Sequence, residues 1–489
     1  MNRLSGISSL AVLWLVFTCN YSIAGWSDDI RLTYSGTEYH PHVVARNDAI
    51  HVVWPHDTHY IAYLRSIDGG NTWDSLVNLS EDGHSAQYPD ISIGENGLFV
   101  SWLDRDILGR IAYTMSPEGS QWTAPVYLPT DHIDDIFMPA SAVKGDSIFI
   151  AYFSYEVDST GRKPIRFFSS YDYGQTWNDE VTVGHPYSTQ QDYLLSYCGS
   201  SLLIAKSGFV DSLHSGYHVV GYRSDDGGRT WSGLIWISPE QWYSAQSPCV
   251  ACNEETGQIA VGYMDYRNQE YAFFGDIFIA ISDDGGQTWP REVRATQYPT
   301  ATAPSVDFTG DTLVTCWSDR RFGNPDGTEI FFNRSDDVGI TWTGDYRLTD
   351  NLYASSEPWL SFDNSKVHVI WREEDVNHNP DLFYKRFTPG GTSITGSQIP
   401  LRNYINLSVY PNPFNSSLSI LVVAPESGSI QIYDILGREV CELGYDKGLN
   451  VINWQARNDD GAPLTSGVYF IKMKNDGLSS HVRRIIYLK

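Results

Sequence analysis

An eight-residue pattern, Ser-x-Asp-x-Gly-x-Thr-Trp, occurs five times in this chain: Ser66 to Trp73, Ser170 to Trp177, Ser224 to Trp231, Ser282 to Trp289 and Ser335 to Trp342. A degenerate copy, Ser116-Pro117-Glu118-Gly119-Ser120-Gln121-Trp122, fills the gap in the series. Successive serines stand 50, 54, 54, 58 and 53 residues apart. A fixed period of this size means one supersecondary unit repeated, and it constrains the architecture more than any other feature.

Each copy lies between alternating, strand-like stretches, as Ile277-Phe278-Ile279-Ala280-Ile281 does before Ser282. Asp next to Gly makes a tight hairpin turn, because Gly tolerates positive φ and Asp bonds its own backbone. The Trp supplies an apolar plate for a sheet to bury. Asp68, Asp172, Asp226, Asp284 and Asp337 are therefore read as structural. Upstream of each turn runs a strand ending in an aromatic, such as His51-Val52-Val53-Trp54, Val314-Thr315-Cys316-Trp317 or Val367-His368-Val369-Ile370-Trp371. Earlier still a short strand opens on Pro41, Pro89, Pro139, Pro248, Pro304 or Pro358, with Tyr193 in that place in the fourth unit.

Four short strands per unit is the signature of a propeller blade. Seven openings against six turns give an all-β, seven-bladed propeller over residues 25–401, with six blades as the alternative. The strand Asp29-Ile30-Arg31-Leu32-Thr33 has no unit of its own and matches Tyr346-Arg347-Leu348-Thr349, so it is expected to complete the last blade and remove the sheet edges.

The first 24 residues carry Arg3, an apolar run from Leu10 to Phe17 and Ser22-Ile23-Ala24, a signal-peptide pattern with cleavage after Ala24. No stretch of the mature chain is long and apolar enough to span a bilayer. Five cysteines remain: Cys198, Cys249, Cys252, Cys316 and Cys441. They read as small buried hydrophobes, with no disulfide framework needed for a core of this size. The formal net charge is −26. Nearly all of it falls before residue 408, and such a body repels nucleic acid and anionic membranes.

The repeat stops at Leu401. A linker over 402–407 leads to Val409-Tyr410-Pro411-Asn412-Pro413, and strand-like segments follow to residue 489. Residues 408–489 read as a small antiparallel β-sandwich, immunoglobulin-like in size. With Tyr410-Pro411-Asn412-Pro413, Tyr433-Asp434…Gly437-Arg438-Glu439-Val440 and Ser466-Gly467-Val468-Tyr469-Phe470, this tail resembles the C-terminal sorting domain of cargo for the type IX secretion system of the Bacteroidetes and related phyla. The resemblance implies export and engagement of the type IX machinery. A stand-alone adhesion module is the other reading.

The intact turns resemble the Asp-boxes of sialidases and other bacterial neuraminidase repeat proteins, from about Asp29 to Leu401. That resemblance implies a propeller whose Asp-boxes rim the face opposite the active site, and an extracellular glycan or glycoprotein as partner. Loops after the second strands carry a recurrent polar cluster: Asp57, Asp104-Arg105, Asp265-Tyr266-Arg267, Asp319-Arg320-Arg321 and Arg372-Glu373-Glu374. Carboxylates beside arginines around a concave site suit glycoside chemistry. Asp265, Asp319 and Glu373 are the candidate catalytic groups, and Asp57, Asp104, Arg105, Arg267, Arg320 and Arg372 the candidate substrate contacts. The competing reading is that each Asp caps its own loop and pairs with its Arg, leaving a scaffold that binds protein partners.

The resemblance also implies three arginines and a Tyr–Glu pair for a true sialidase. Where an Arg-Ile-Pro motif would stand, this chain has Glu38-Tyr39-His40-Pro41, and no Tyr–Glu pair stands out in the sequence. Asp375, Asn377, Asn379 and Asp381 place oxygen ligands at alternate positions, a weak calcium-loop pattern without the Gly or the distant Glu of an EF-hand. Trp242, Tyr243 and Tyr266 are candidate sugar-stacking aromatics.

Overall fold

The computed structural model describes residues 25–488 except 58, 81–84, 106–108, 131–135, 155–162, 185–192, 211–215, 241–242, 269–273, 322–326, 352, 364–365, 389–405, 411–413, 416, 425–426, 447 and 475–481. The expected signal peptide, Trp242 and most of the expected 402–407 linker lie outside the described residues. A strand already runs from Asn406 to Tyr410, so ordered structure begins inside the expected linker.

Ahead of Asn406, the described residues form seven four-stranded antiparallel sheets, joined in sequence order. The first is built from His42–Arg46, Ala49–His56, Tyr60–Ser66 and Val77–Asn78. The other sheets repeat this order, and the arrangement is that of a β-propeller. The seventh has Ser355–Asp363, Lys366–Glu374 and Pro380–Phe387, and takes its fourth strand, Ile30–Arg31, from the other end of the propeller segment. The inner strands touch one another in turn, and the seventh touches the first.

The core lies between sheets. Trp54, Trp102, Trp317 and Trp371, the aromatics that end the second strands, are fully buried. At four of the turns the Trp packs edge-on against an aromatic in the third strand of the preceding sheet, while Trp289 and Trp342 pack against hydrophobic clusters. Trp122 meets Tyr63 at 4.8 Å, Trp177 meets Tyr113 at 5.4 Å and Trp231 meets Phe167 at 5.0 Å. Trp73, in the first sheet, meets Tyr384 of the seventh at 5.1 Å.

Inside each intact turn the Asp acts as a cap. The Asp68 carboxylate accepts from the Ser66 hydroxyl, the backbone N–H groups of Asn71 and Thr72, and the Thr72 hydroxyl, all at 2.7 to 2.9 Å. The same Thr hydroxyl bond recurs at 2.6 Å at Asp172, Asp226, Asp284 and Asp337. Gly70, at φ 84°, sits where a Cβ would collide with the Tyr384 ring, so only Gly fits.

The cysteine expectation needs correction. Cys198 and Cys252, at the ends of the inner strands of the fourth and fifth sheets, form a disulfide with Cα atoms 5.4 Å apart. Their separation of 54 residues hid the pairing, because it depends on two neighbouring units ending in register. Cys249, Cys316 and Cys441 are buried thiols, as read from the sequence.

The tail forms a three-stranded sheet and a four-stranded sheet. Leu418, Ile420, Val422 and Trp454 of one share a core with Ile430, Ile432, Ile471 and Ile485 of the other.

Two outcomes follow. Replacing both Cys198 and Cys252 with Ser should cost about 4 kcal/mol of chain-entropy stabilisation, read as a lower denaturant midpoint. The hydrogen bonds from Thr72 hold the Asp68 carboxyl down to about 2, against an ordinary value of 3.8. Its contribution is complete above about pH 4 and lost as pH falls towards 2, because the unfolded chain then binds more protons. The melting temperature should fall less across that range for Asp68→Asn than for the parent.

Candidate functional site

The turns close the end of each sheet at which the third strand finishes. The second strand finishes at the opposite end, so the polar loop residues gather there. In that setting most of them bond within their own sheet. Asp265 is buried and accepts from Arg267 twice at 2.7 Å, through the backbone N–H and the guanidinium. Arg267 also donates to Glu292 at 2.7 and 2.8 Å and lies over the Phe278 ring. Tyr263 donates its hydroxyl to Glu292, a Tyr–Glu pair that sequence reading missed because 29 residues separate the two. That tyrosine is fully buried, and burial followed by Glu292 pushes its phenol well above the ordinary value.

Asp319 is more tightly held. It accepts from the Trp317 indole at 2.8 Å, the Thr300 hydroxyl at 2.7 Å, and Arg321 through its backbone and guanidinium at 2.6 to 3.0 Å. Burial raises the Asp319 carboxyl, but the Arg321 charge together with the hydrogen bonds from Arg321 and Trp317 outweighs it, and the net shift is downward. Arg321 bridges to Asp345 at 2.6 Å. Arg321, which the sequence offered only as a neighbour of Arg320, is thus the ion-pairing residue; Arg320 is exposed and faces the Phe274 ring. Asp104 is buried and accepts from the Tyr127 hydroxyl at 2.8 Å. Arg105 donates to Gln87 at 2.8 Å, and Arg372 to Glu374 at 2.9 Å.

Glu373 differs. It accepts from the Trp371 indole at 3.0 Å and Asn351 at 2.6 Å, with no guanidinium bonded to it among the described contacts, and burial pushes its carboxyl up to about 7. Asn351 also donates its backbone N–H to Glu329, which burial likewise raises to about 7.

The four calcium-loop residues do not converge. Asp375 is used by the backbone of Asn377 and Asn379 in a local turn, while Asp381 faces Arg31, Thr33 and Gly36 of the N-terminal segment. Among the described residues no cluster of three metal-ligating side chains is present.

The concave feature lies elsewhere. A cavity of about 270 Å³ is lined by residues from all seven inner strands. Its wall is made of X-Pro-X triplets: His40-Pro41-His42, Tyr88-Pro89-Asp90, Met138-Pro139-Ala140, Ser247-Pro248-Cys249, Ala303-Pro304 and Glu357-Pro358-Trp359, with Leu194 completing the ring. In each triplet the residue before Pro has positive φ, between 43° and 53°. Proline cannot donate to the ladder, so it is expelled into a bulge, and the register slips at this point in the second, third, fifth, sixth and seventh sheets. Six non-Gly residues in the left-handed region cost about 1–3 kcal/mol each. Strain of that size persists only where the surrounding structure enforces it.

The wall has two sectors. In the seventh, first and second sheets it is polar and aromatic. The Glu357 carboxylate accepts from the His40 backbone at 2.7 Å and lies 3.3 Å from its ring. His42 pairs with Asp90 at 3.1 Å and stacks on Trp359 at 3.9 Å. Asp90 is anchored by the backbone and hydroxyl of Ser141 in the third sheet, at 2.6 and 2.7 Å. Tyr39 lies at the rim, where burial, then Tyr88, Asp57 and Glu357, raise its phenol. Across the cavity stand Met138, Ala140, Leu194, Pro248 and Ala303. None of the nine sequence-derived catalytic and substrate candidates lines it, although Asp57 stands near the rim. The prolines were the available signal, read from sequence only as strand openers.

Residues 408–488 match the secretion system C-terminal sorting domain, so the chain carries a type IX sorting tail and is a secreted or outer-surface protein. Among curated proteins nothing matches its sequence. Among solved structures, an ulvan lyase of a polysaccharide lyase family bound to -[GlcA(1-4)Rha3S]- aligns at 9% identity over 73% of this chain and 95% of its own, with TM-score 0.52. An α-L-arabinofuranosidase of Fusarium graminearum aligns at 13% identity over 74% and 98%, TM-score 0.44. A Hadza microbial sialidase aligns at 15% identity over 64% and 66%, TM-score 0.41. At 9% identity the likeness to the lyase is one of fold alone.

The raised carboxyls carry a stability signature. A Glu whose folded value is about 7 contributes fully below about pH 4.5, and its contribution is lost as pH rises to 7 and beyond. Glu373→Gln, which mimics the protonated form, should match the parent at pH 4.5 and exceed its melting temperature at pH 8.

Proposed function

We propose that the chain is a secreted, surface-associated glycan-binding protein, a seven-bladed propeller related to the Asp-box sialidases, with an immunoglobulin-like sorting domain at 408–489. Its ligand site is the proline-walled cavity. One observation carries this reading: six strained X-Pro positions surround a cavity of sugar-ring dimensions, and three of them, His40, Tyr88 and Glu357, lie in its aromatic and carboxylate-bearing sector. Aromatic plates beside planar hydrogen-bonding groups are what carbohydrate recognition uses.

The interlocking of Asp265 with Arg267, and of Asp319 with Arg321, argues against a hydrolase that uses those carboxylates. It also withdraws Arg267 from the substrate contacts. The absence of any Lys or Arg from the described cavity wall argues against sialic acid as the ligand.

A catalytic reading has one observation in its favour. Glu373, held up at about 7, has the protonation behaviour of a general acid near neutral pH. Hydrolysis of any oligosaccharide by the parent and its loss in Glu373→Gln would support that reading over pure binding.

The binding proposal is tested by screening the purified full-length chain against an oligosaccharide array. Binding is expected, and Trp359→Ala should weaken it by on the order of tenfold or more, as loss of a stacking aromatic does. No binding to any sugar, or full binding by Trp359→Ala with an unchanged melting temperature, would contradict it.

A further inference from the structure

The described cavity wall holds two carboxylates, Asp90 and Glu357, and neither a lysine nor an arginine. Its other ionisable side chains of note are His40 and His42, each beside one of those carboxylates. With both imidazoles neutral the wall carries two negative charges, and with both protonated it carries none. Asp57 adds a further carboxylate at the rim, its side chain 61% exposed.

The cations of the same face are held outside the wall. Arg267 is shared between Asp265 and Glu292, Arg372 is paired with Glu374, Arg105 bonds Gln87, and Arg320 faces Phe274. Inside, Tyr88 and Trp359 present aromatic surfaces and Met138 a thioether, groups that attract a cation through their polarisable electrons. Carboxylates flanked by aromatic faces, without a competing cation, form a receptor for an ammonium group.

Resting on the glycan reading above, we infer that the cavity binds a glycan bearing a free amine: a 2-amino-2-deoxy sugar whose ammonium sits against Glu357, with Asp90, its oxygens taken by His42 and Ser141, adding negative charge nearby. The uncharged sugar carbons then face Trp359 and the apolar sector of Met138 and Leu194. Uronates and sialic acids would meet carboxylates with nothing to compensate them. An N-acetylated sugar would lose the charge that the wall is built to meet.

Calorimetric titration of the full-length chain with four probes tests this: a glucosamine tetramer, its N-acetylated counterpart, a galacturonate tetramer and tetralysine. The glucosamine tetramer should bind on the order of tenfold tighter than the N-acetylated one, the size of one charge-assisted hydrogen bond. The galacturonate should bind weakest. Glu357→Gln keeps an acceptor for the His40 N–H, so it should fold with an unchanged melting temperature while the amine preference falls to threefold or less. Equal binding of the two tetramers, or preference for the galacturonate, overturns the amino-sugar assignment while leaving glycan binding standing. Tetralysine binding as tightly as the glucosamine tetramer overturns it in favour of a basic peptide. Failure to bind any of these, with no hit on the oligosaccharide array, removes the glycan reading as well.

Discussion

The contact on which the structure depends is that of a turn tryptophan against an aromatic ring of the sheet before it. A twisted four-stranded sheet has two faces to bury and cannot cover either alone. Trp73, Trp122, Trp177 and Trp231 each reach back across the gap to an aromatic of the preceding sheet, fastening one sheet to the next. The same device closes the series, since Trp73 packs on Tyr384 and Ile30–Arg31 completes the sheet that carries Tyr384. The Asp caps hold the turns in shape, and the disulfide between the fourth and fifth sheets adds a covalent fastening of the same kind.

Much of this was legible in the sequence because it repeats. The period, the turn role of Asp68 and its equivalents, and the closing strand at Ile30 all follow from self-similarity. What was not legible depends on the ring itself. Cys198 and Cys252 meet because two inner strands end side by side. Arg267 turns inward because Glu292 waits on the outer strand of the same sheet. The X-Pro-X triplets read as strand openers. Only when seven inner strands surround one cavity do the residues beside the prolines become a wall, and only then do His42, Asp90 and Trp359, from three sheets, become neighbours.

The resulting division of labour is physical. At the ends of the second strands Asp265 pairs with Arg267, Asp319 with Arg321 and Glu374 with Arg372, while the residues beside the prolines, one strand further in, line the cavity. An acidic, secreted body with an acidic cavity wall favours ligands that are neutral or cationic. This inverts the arginine-lined requirement that the sialidase resemblance would impose, on a fold that the resemblance described well. The sorting tail contributes an address, and its core is its own.

The central claim is that the proline-walled cavity is where this protein meets its ligand. A crystal structure of the full-length chain with a bound oligosaccharide tests it most directly. The account predicts electron density for a sugar ring inside the cavity, over Trp359 and within hydrogen-bonding distance of Glu357. Density seated instead among Asp265, Asp319 and Glu373, with the cavity holding only water, would contradict it.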